Sequence, residues 1–272
     1  GFVSRGLGDV YKRQTYIHET DIFSLAILGT RYLDSQFSIN YSLQLTEDKI
    51  KSNTLEEGSF TSRRYYKLSL LPQYLYTLND QRKLLLKAGL SFDDSNRDTS
   101  EFAPIAEISL LTEHENGDSE RAYFSYAKTT QVVGYGAIGG SETSGLFRSN
   151  HNLLRETSEN IEIGYAINKG EWSLESAVFY RWDDDLVDWT YSGAGARSAE
   201  NVDIETFGLE IIGARQWKQL EAIASYTHLE KSEDYKNPNV VGSFYALNYP
   251  KHRATLGLIY SPNQFLEIRL DN

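Results

Sequence analysis

From Phe37 to Thr46 the chain reads FSINYSLQLT, in which Phe37, Ile39, Tyr41, Leu43 and Leu45 alternate without a slip with Ser38, Asn40, Ser42, Gln44 and Thr46. Successive side chains of an extended strand point to opposite sides, so this spacing gives one apolar and one polar face. The pattern recurs in YYKLSLLPQYLYTL, where Tyr66, Leu68, Leu70, Pro72, Tyr74 and Tyr76 share a face, and in KLLLKAGLSF, where Leu84, Leu86, Ala88, Leu90 and Phe92 do. Weaker versions lie at 102–112, 121–129, 159–167, 172–182, 202–213, 219–229 and 253–260. With a strand over 22–31 and a last one beginning near Phe265, the sequence predicts about twelve strands. Several run past the five or six residues usual in soluble sheets and are long enough to cross a bilayer at a tilt. The 19 tyrosines, 12 phenylalanines and 4 tryptophans, against 5 prolines, favour an all-β class.

The connections sharpen this. Short turns centred on Asp34, Asn79, Gly117, Lys169, Arg215 and Asn263 alternate with longer polar excursions at 46–63, 93–101, 130–157, 183–201 and 231–251. An up-and-down membrane barrel has tight turns at one rim and long loops at the other, whereas a Greek-key sandwich mixes the two and a propeller repeats blade motifs that are absent here. The expected fold is therefore part of a transmembrane antiparallel β-barrel, with apolar faces toward lipid and polar faces inward. A mean hydropathy of -0.47 accords with half-greasy strands. Tyr65, Tyr66, Tyr74, Tyr76, Tyr123, Tyr126, Tyr180, Trp182, Trp189 and Tyr191 stand where rings could lie at headgroup depth. The alternative is a soluble β-rich binding module that uses these rings as core.

No run approaches the apolar length of a membrane helix, and the net charge of -11 argues against a nucleic-acid partner. Cysteine is absent, which removes disulfides and thiolate metal sites. Methionine is absent too, so the sequence reads as a fragment. Residues 1–14, GFVSRGLGDVYKRQ, break the pattern that begins at Thr15. They lack the apolar core and cleavage site of a secretory signal and the glycine and lysine spacing of a phosphate loop. They look like a translated sequencing-adapter tail, which leaves 15–272 as the natural segment.

The stretch from Tyr123 to Tyr165 resembles the C-terminal half of TonB-dependent outer-membrane receptors. Asn150, Leu153, Glu156, Thr157, Asn160, Glu162 and Gly164 fit that family's pattern, with Arg155 in place of its usual proline. YPKHRATLGLIYSP at 249–262 and VFYRWDDDLVDW at 178–189 are similar to two further family segments. The resemblance implies a 22-stranded barrel in the bacterial outer membrane, surrounded by lipid and closed by a separate N-terminal plug. Such a barrel imports a scarce small-molecule nutrient chelate, of the ferric siderophore or cobalamin class, with energy from the TonB complex. The chain carries neither plug nor TonB box and stops at RLDN, so about twelve strands represent roughly half a barrel. Half a barrel leaves two open strand edges and is expected not to fold alone. A passive porin-like or structural barrel is the alternative within the outer membrane.

Catalytic chemistry is unsupported. His18, His114, His151, His228 and His252 are scattered without ligand spacing, no nucleophile elbow is present, and no cofactor signature appears. Asp183, Asp184 and Asp185, with Asp188, could offer carboxylate oxygens to a hard cation, but they lack the glycine and distal glutamate of an EF-hand. The loop at 130–157 is the best binding candidate. Its glycines accompany Tyr135, Phe147, Arg148 and Asn150, which could supply aromatic and cationic contacts. Tyr191 and Arg197 in the next long connection, and Tyr245 in the last, complete the expected outer surface.

Overall fold

In the computed structural model, residues 17–56, 61–193, 195–244 and 249–271 are described. The adapter-like segment 1–14 and Tyr245 lie outside the described residues. The chain forms β1 (His18–Tyr32), β2 (Phe37–Ser52), β3 (Ser62–Thr77), β4 (Arg82–Ser95), β5 (Asp98–Glu113) and β6 (Ser119–Gln131). A one-turn helix α1 (Tyr135–Ile138) and the two-residue β7 (Phe147–Arg148) follow. Next come β8 (Glu156–Lys169), β9 (Trp172–Tyr191), β10 (Arg197–Gln216), β11 (Leu220–Tyr235), β12 (Gly242–Ser243), β13 (His252–Asn263) and β14 (Leu266–Asp271). The twelve longer strands make one antiparallel up-and-down sheet in chain order, from β1 to β14. The sheet does not close on itself among the described residues. No described helix is long and apolar enough to cross a membrane, which leaves crossing by strands open.

The register turns the sequence alternation into continuous bands. Leu43 faces Leu68, Leu68 faces Phe92 and Phe92 faces Phe102. Nearer the tight turns Leu86, Ile108, Phe124, Ile163, Val178 and Leu209 run across β4, β5, β6, β8, β9 and β10. Leu43, Leu68, Leu70, Ile108, Phe124 and Ile163 remain exposed, so none of the described residues covers this face. The other face is polar and internally neutralised. Glu107 accepts from Lys87 at 3.1 Å, from Arg121 at 2.6 Å and from Ser109 at 2.5 Å, and Lys67 pairs with Asp93 at 3.2 Å.

The aromatic belt needs a correction. Tyr66, Tyr74 and Tyr76 lie on the apolar face and are exposed, but Tyr65 and Tyr123 lie on the polar one. Tyr123 covers Gly164, where a Cβ would collide with its ring, and it donates to Glu162 at 2.5 Å. Two residues of the expected family pattern thus make a seat for one ring.

The tight turns are set by short polar side chains that hold the backbone after them. Asp34 accepts from the amides of Gln36 and Phe37 at 2.7 Å each, and Asn79 from Gln81 and Arg82 at 3.0 and 2.9 Å. Asn116 and Asn263 repeat the device. The turn expected at Arg215 falls at 217–219, and Arg215 itself belongs to β10.

Two of the expected long excursions are mostly strand. At 93–101 the connection shrinks to Asn96 and Arg97 between β4 and β5. At 183–201 the strands continue, leaving 192–196 as the turn between β9 and β10, which at 20 residues each are the longest strands. Polar residues on both faces hid these extensions, because a strand that rises beyond the apolar band has no greasy side to reveal its period.

Candidate functional site

The tip of the β9–β10 hairpin stands beyond its neighbours, so both of its outer edges carry unpaired backbone groups that need partners. Two long loops supply them, and they cross. The loop between β6 and β8 sends β7 to the far edge, where Phe147 and Arg148 pair in parallel with Arg197 and Ser198 of β10. The loop between β11 and β13 sends β12 the opposite way, where Gly242 and Ser243 pair with Tyr191 and Thr190 of β9. Further backbone bonds close the seams: Arg197 N to Leu146 O at 2.7 Å, Val241 N to Tyr191 O at 2.8 Å and Phe244 N to Trp189 O at 3.1 Å.

The crossing gathers an aromatic group around one cation. Phe147 meets Trp189 edge-on at 5.2 Å between centroids and Phe244 at 6.2 Å. The Arg197 guanidinium carbon lies 5.4 Å from the Phe147 centroid and 4.8 Å from that of Phe244. Ala199, opposite Trp189, is fully covered, while Phe147 stays 43% exposed and offers its free edge outward. This surface has aromatic faces and a positive charge, a chemistry suited to flat or anionic ligands.

The same β6–β8 loop is pinned at its root. It reaches back past β4 and β5 to the β2–β3 hairpin, where the Tyr135 hydroxyl donates to the carboxylate and to the carbonyl of Asp48. Arg63 grips that carboxylate with two bonds of 3.1 Å, lies 4.2 Å from the Tyr135 ring centroid and donates to Val133 O. Burial, reinforced by the Asp48 carboxylate, pushes the Tyr135 phenol well above the ordinary tyrosine value. Val132, Val133 and Ile138 are buried beneath, Leu55 packs on Gly139, and Glu56 N donates to Gly139 O at 2.7 Å.

The expected site residues therefore separate into two groups. Phe147, Arg197 and Tyr191 come together at the clasp, Arg148 lies half-buried in β7, and Tyr135 is turned inward as the anchor with its hydroxyl committed to Asp48. Asn150 shapes the loop, its amide bonding Ala137 O at 2.8 Å and its side chain accepting from Asn152 N at 2.9 Å. Arg155, where the family has proline, ties the loop to Thr130 at 3.2 Å and to Thr99 O at 2.8 Å.

Asp183, Asp184 and Asp185 lie within β9, where a bulge sets 183–186 against 202–204 of β10 and gives Asp185 a φ of 57°. Asp183 pairs with Arg181 at 2.8 Å, and Lys236 pairs with Asp185 and, at 3.3 Å, with Asp203. That Asp185 bond raises Lys236 above the ordinary lysine value. Asp183 and Asp185 are thus paired with cations of the chain itself, and no group of three or more acidic, histidine or cysteine residues placed to hold a metal occurs among the described residues.

Sequence reasoning missed the Asp48–Arg63 pair and Phe244, and it placed Trp189 in the aromatic belt. None of them carries a local signal for its role, since each depends on a loop arriving from elsewhere in the chain.

A family model described as "TonB dependent receptor-like, beta-barrel" matches residues 3–270. The iron transporter FrpB of Neisseria meningitidis superposes with a TM-score of 0.60 at 16% identity, covering 93% of this chain and 42% of that one. The siderophore receptor PirA of Pseudomonas aeruginosa gives 0.65 at 14% identity over 94% and 48%. The copper transporter OprC gives 0.60 at 11% over 92% and 43%. At these identities the likeness is one of fold, and the chain spans less than half of each solved chain. No curated protein sequence matches it.

Proposed function

The chain belongs to the TonB-dependent receptor-like β-barrel family, and from that premise we propose that it forms wall and outer mouth of an outer-membrane receptor importing a scarce nutrient chelate. Its structural neighbours carry the names of iron, siderophore and copper proteins, which supports a metal chelate of the ferric siderophore class, with cobalamin as the other candidate cargo. Energy would come from the TonB complex, acting through a plug region. The protein is a transporter and not an enzyme on this reading.

The observation that carries the proposal is the crossed clasp. Two long loops fold over one hairpin tip and present Phe147, Trp189, Phe244 and Arg197 together. Loops that already hold aromatic and cationic groups in place lower the ordering cost of binding, which is what a receptor that discriminates among ligands needs. Deleting 134–147 in the full-length receptor, with the barrel verified by heat-modifiable gel mobility, tests this. Loss of binding to a panel of ferric siderophores and cobalamin is expected. Unchanged affinity across whichever ligand binds the parent would remove the loop from the site.

A further inference from the structure

The exposed apolar face carries cations without acidic partners at the tight-turn rim. Phe207, Leu209, Ile211, Gly213 and Arg215 share that face of β10 by alternation, and Arg215 sits opposite Trp172 of β9. Its guanidinium carbon lies 4.3 Å from the Trp172 ring centroid and 4.8 Å from that of Trp217 in the adjoining turn. Trp172 in turn faces Lys169 of β8, so Lys169, Trp172 and Arg215 form a row across three neighbouring strands. Trp172 is 55% exposed and Trp217 38%.

Cations on the polar face near the same rim are neutralised: Lys83 by Glu113 at 3.2 Å, Lys87 and Arg121 by Glu107. Arg215 and Lys169 form no ion pair among the described residues, in a chain whose net charge is -11. Arg215 Nε is buried without a hydrogen-bond partner. Two indoles stack against the planar guanidinium and leave its outer donors free, an arrangement that fits two oxygens of a phosphate. Leu174, Val178 and Ile211 continue the same face toward mid-sheet and are exposed, as acyl chains require.

We propose that Lys169, Trp172, Arg215 and Trp217 form a docking site for the headgroup phosphate of an anionic phospholipid in the leaflet at the tight-turn rim. The phosphate sits on Arg215, the second charge on Lys169 selects against a zwitterionic lipid whose ammonium group would approach it, and the indoles lie at headgroup depth. This rests on the reading of the chain as a membrane barrel.

The test uses the full-length receptor in nanodiscs of mixed phosphatidylethanolamine and phosphatidylglycerol, with retained lipid measured by native mass spectrometry. Insertion is checked first by heat-modifiable mobility. A parent that fails to insert overturns the membrane reading, and the lipid site with it. An inserted parent is expected to retain phosphatidylglycerol preferentially, and Lys169→Gln with Arg215→Gln is expected to lower that preference about fivefold for each charge removed. Lys83→Gln, on the polar face, leaves it unchanged. If the double variant does not fold, Trp172→Leu takes its place, since it keeps both charges and removes one stacking face, and it too lowers retention. Equal retention of the two lipids by the inserted parent, or the same preference in the folded variants, overturns the site while leaving the barrel reading intact.

Discussion

Phe147 and Arg197 are parallel strand partners, and the guanidinium carbon of Arg197 stands 5.4 Å from the Phe147 ring centroid while also covering Phe244 from the opposite loop. One cation therefore joins two loops that cross over the same hairpin. Disturbing either loop should be felt in the other.

Phe147→Ala is expected to increase hydrogen exchange at the amides of Val241 and Phe244, although the substitution lies in the other loop. The lost edge contacts and cation–π contact are together worth about 1–2 kcal/mol of local opening energy. Exchange in 236–244 that stays at the parent level would mean that the loops close independently.

Tyr135→Phe removes the hydroxyl that bonds Asp48 and leaves a buried carboxylate with Arg63 as its main partner. Local stability of the loop should fall by about 1–3 kcal/mol. Limited proteolysis should cut the exposed tip at 141–147 faster than in the parent, with the barrel strands still protected.

Gly164→Ala places a methyl group against the Tyr123 ring. The cost is expected at about 1–3 kcal/mol, read as a lower urea midpoint for unfolding from lipid vesicles. Tyr123→Ala should relieve the clash, so the double variant should lose less than the two single losses combined. Simple additivity would show that the ring has room to move.

Asp34 gives a pH dependence. The amides of Gln36 and, secondly, Phe37 hold its carboxyl below the ordinary value. A depressed folded-state value means that the turn's stabilisation is present above the unfolded carboxylate pKa and is lost as pH falls through the lower folded one. Protection of the Gln36 and Phe37 amides should therefore persist at neutral pH and fade only on strong acidification, and Asp34→Ala should abolish it at every pH.

The fold was legible because its signal is local. Alternation in FSINYSLQLT, the greasy faces of β3 and β4, and Asp34, Asn79 and Asn263 at the turns each act over a few residues, and all twelve long strands appear where that pattern placed them. It failed for Asp183, Asp184 and Asp185, whose acidic composition reads as loop but whose backbone pairs with β10 beyond the apolar band. It was misread for Tyr123 as well, since alternation with Phe124 puts that ring on the polar face, where Gly164 opposite leaves it room to lie flat.

The candidate site was legible as a set of residue types and illegible as an arrangement. Phe147, Tyr191 and Arg197 could be named from chemistry, but nothing near Tyr135 announces that it serves Asp48 instead of a ligand. The sequence by itself determined where the strands lie within the apolar band, which face of each is apolar and where most of the tight turns fall, because side-chain alternation and turn chemistry are properties of neighbouring residues. Only the tertiary structure decided that the two loops exchange sides, because the free edges they satisfy exist only once β9 and β10 have paired and risen above their neighbours.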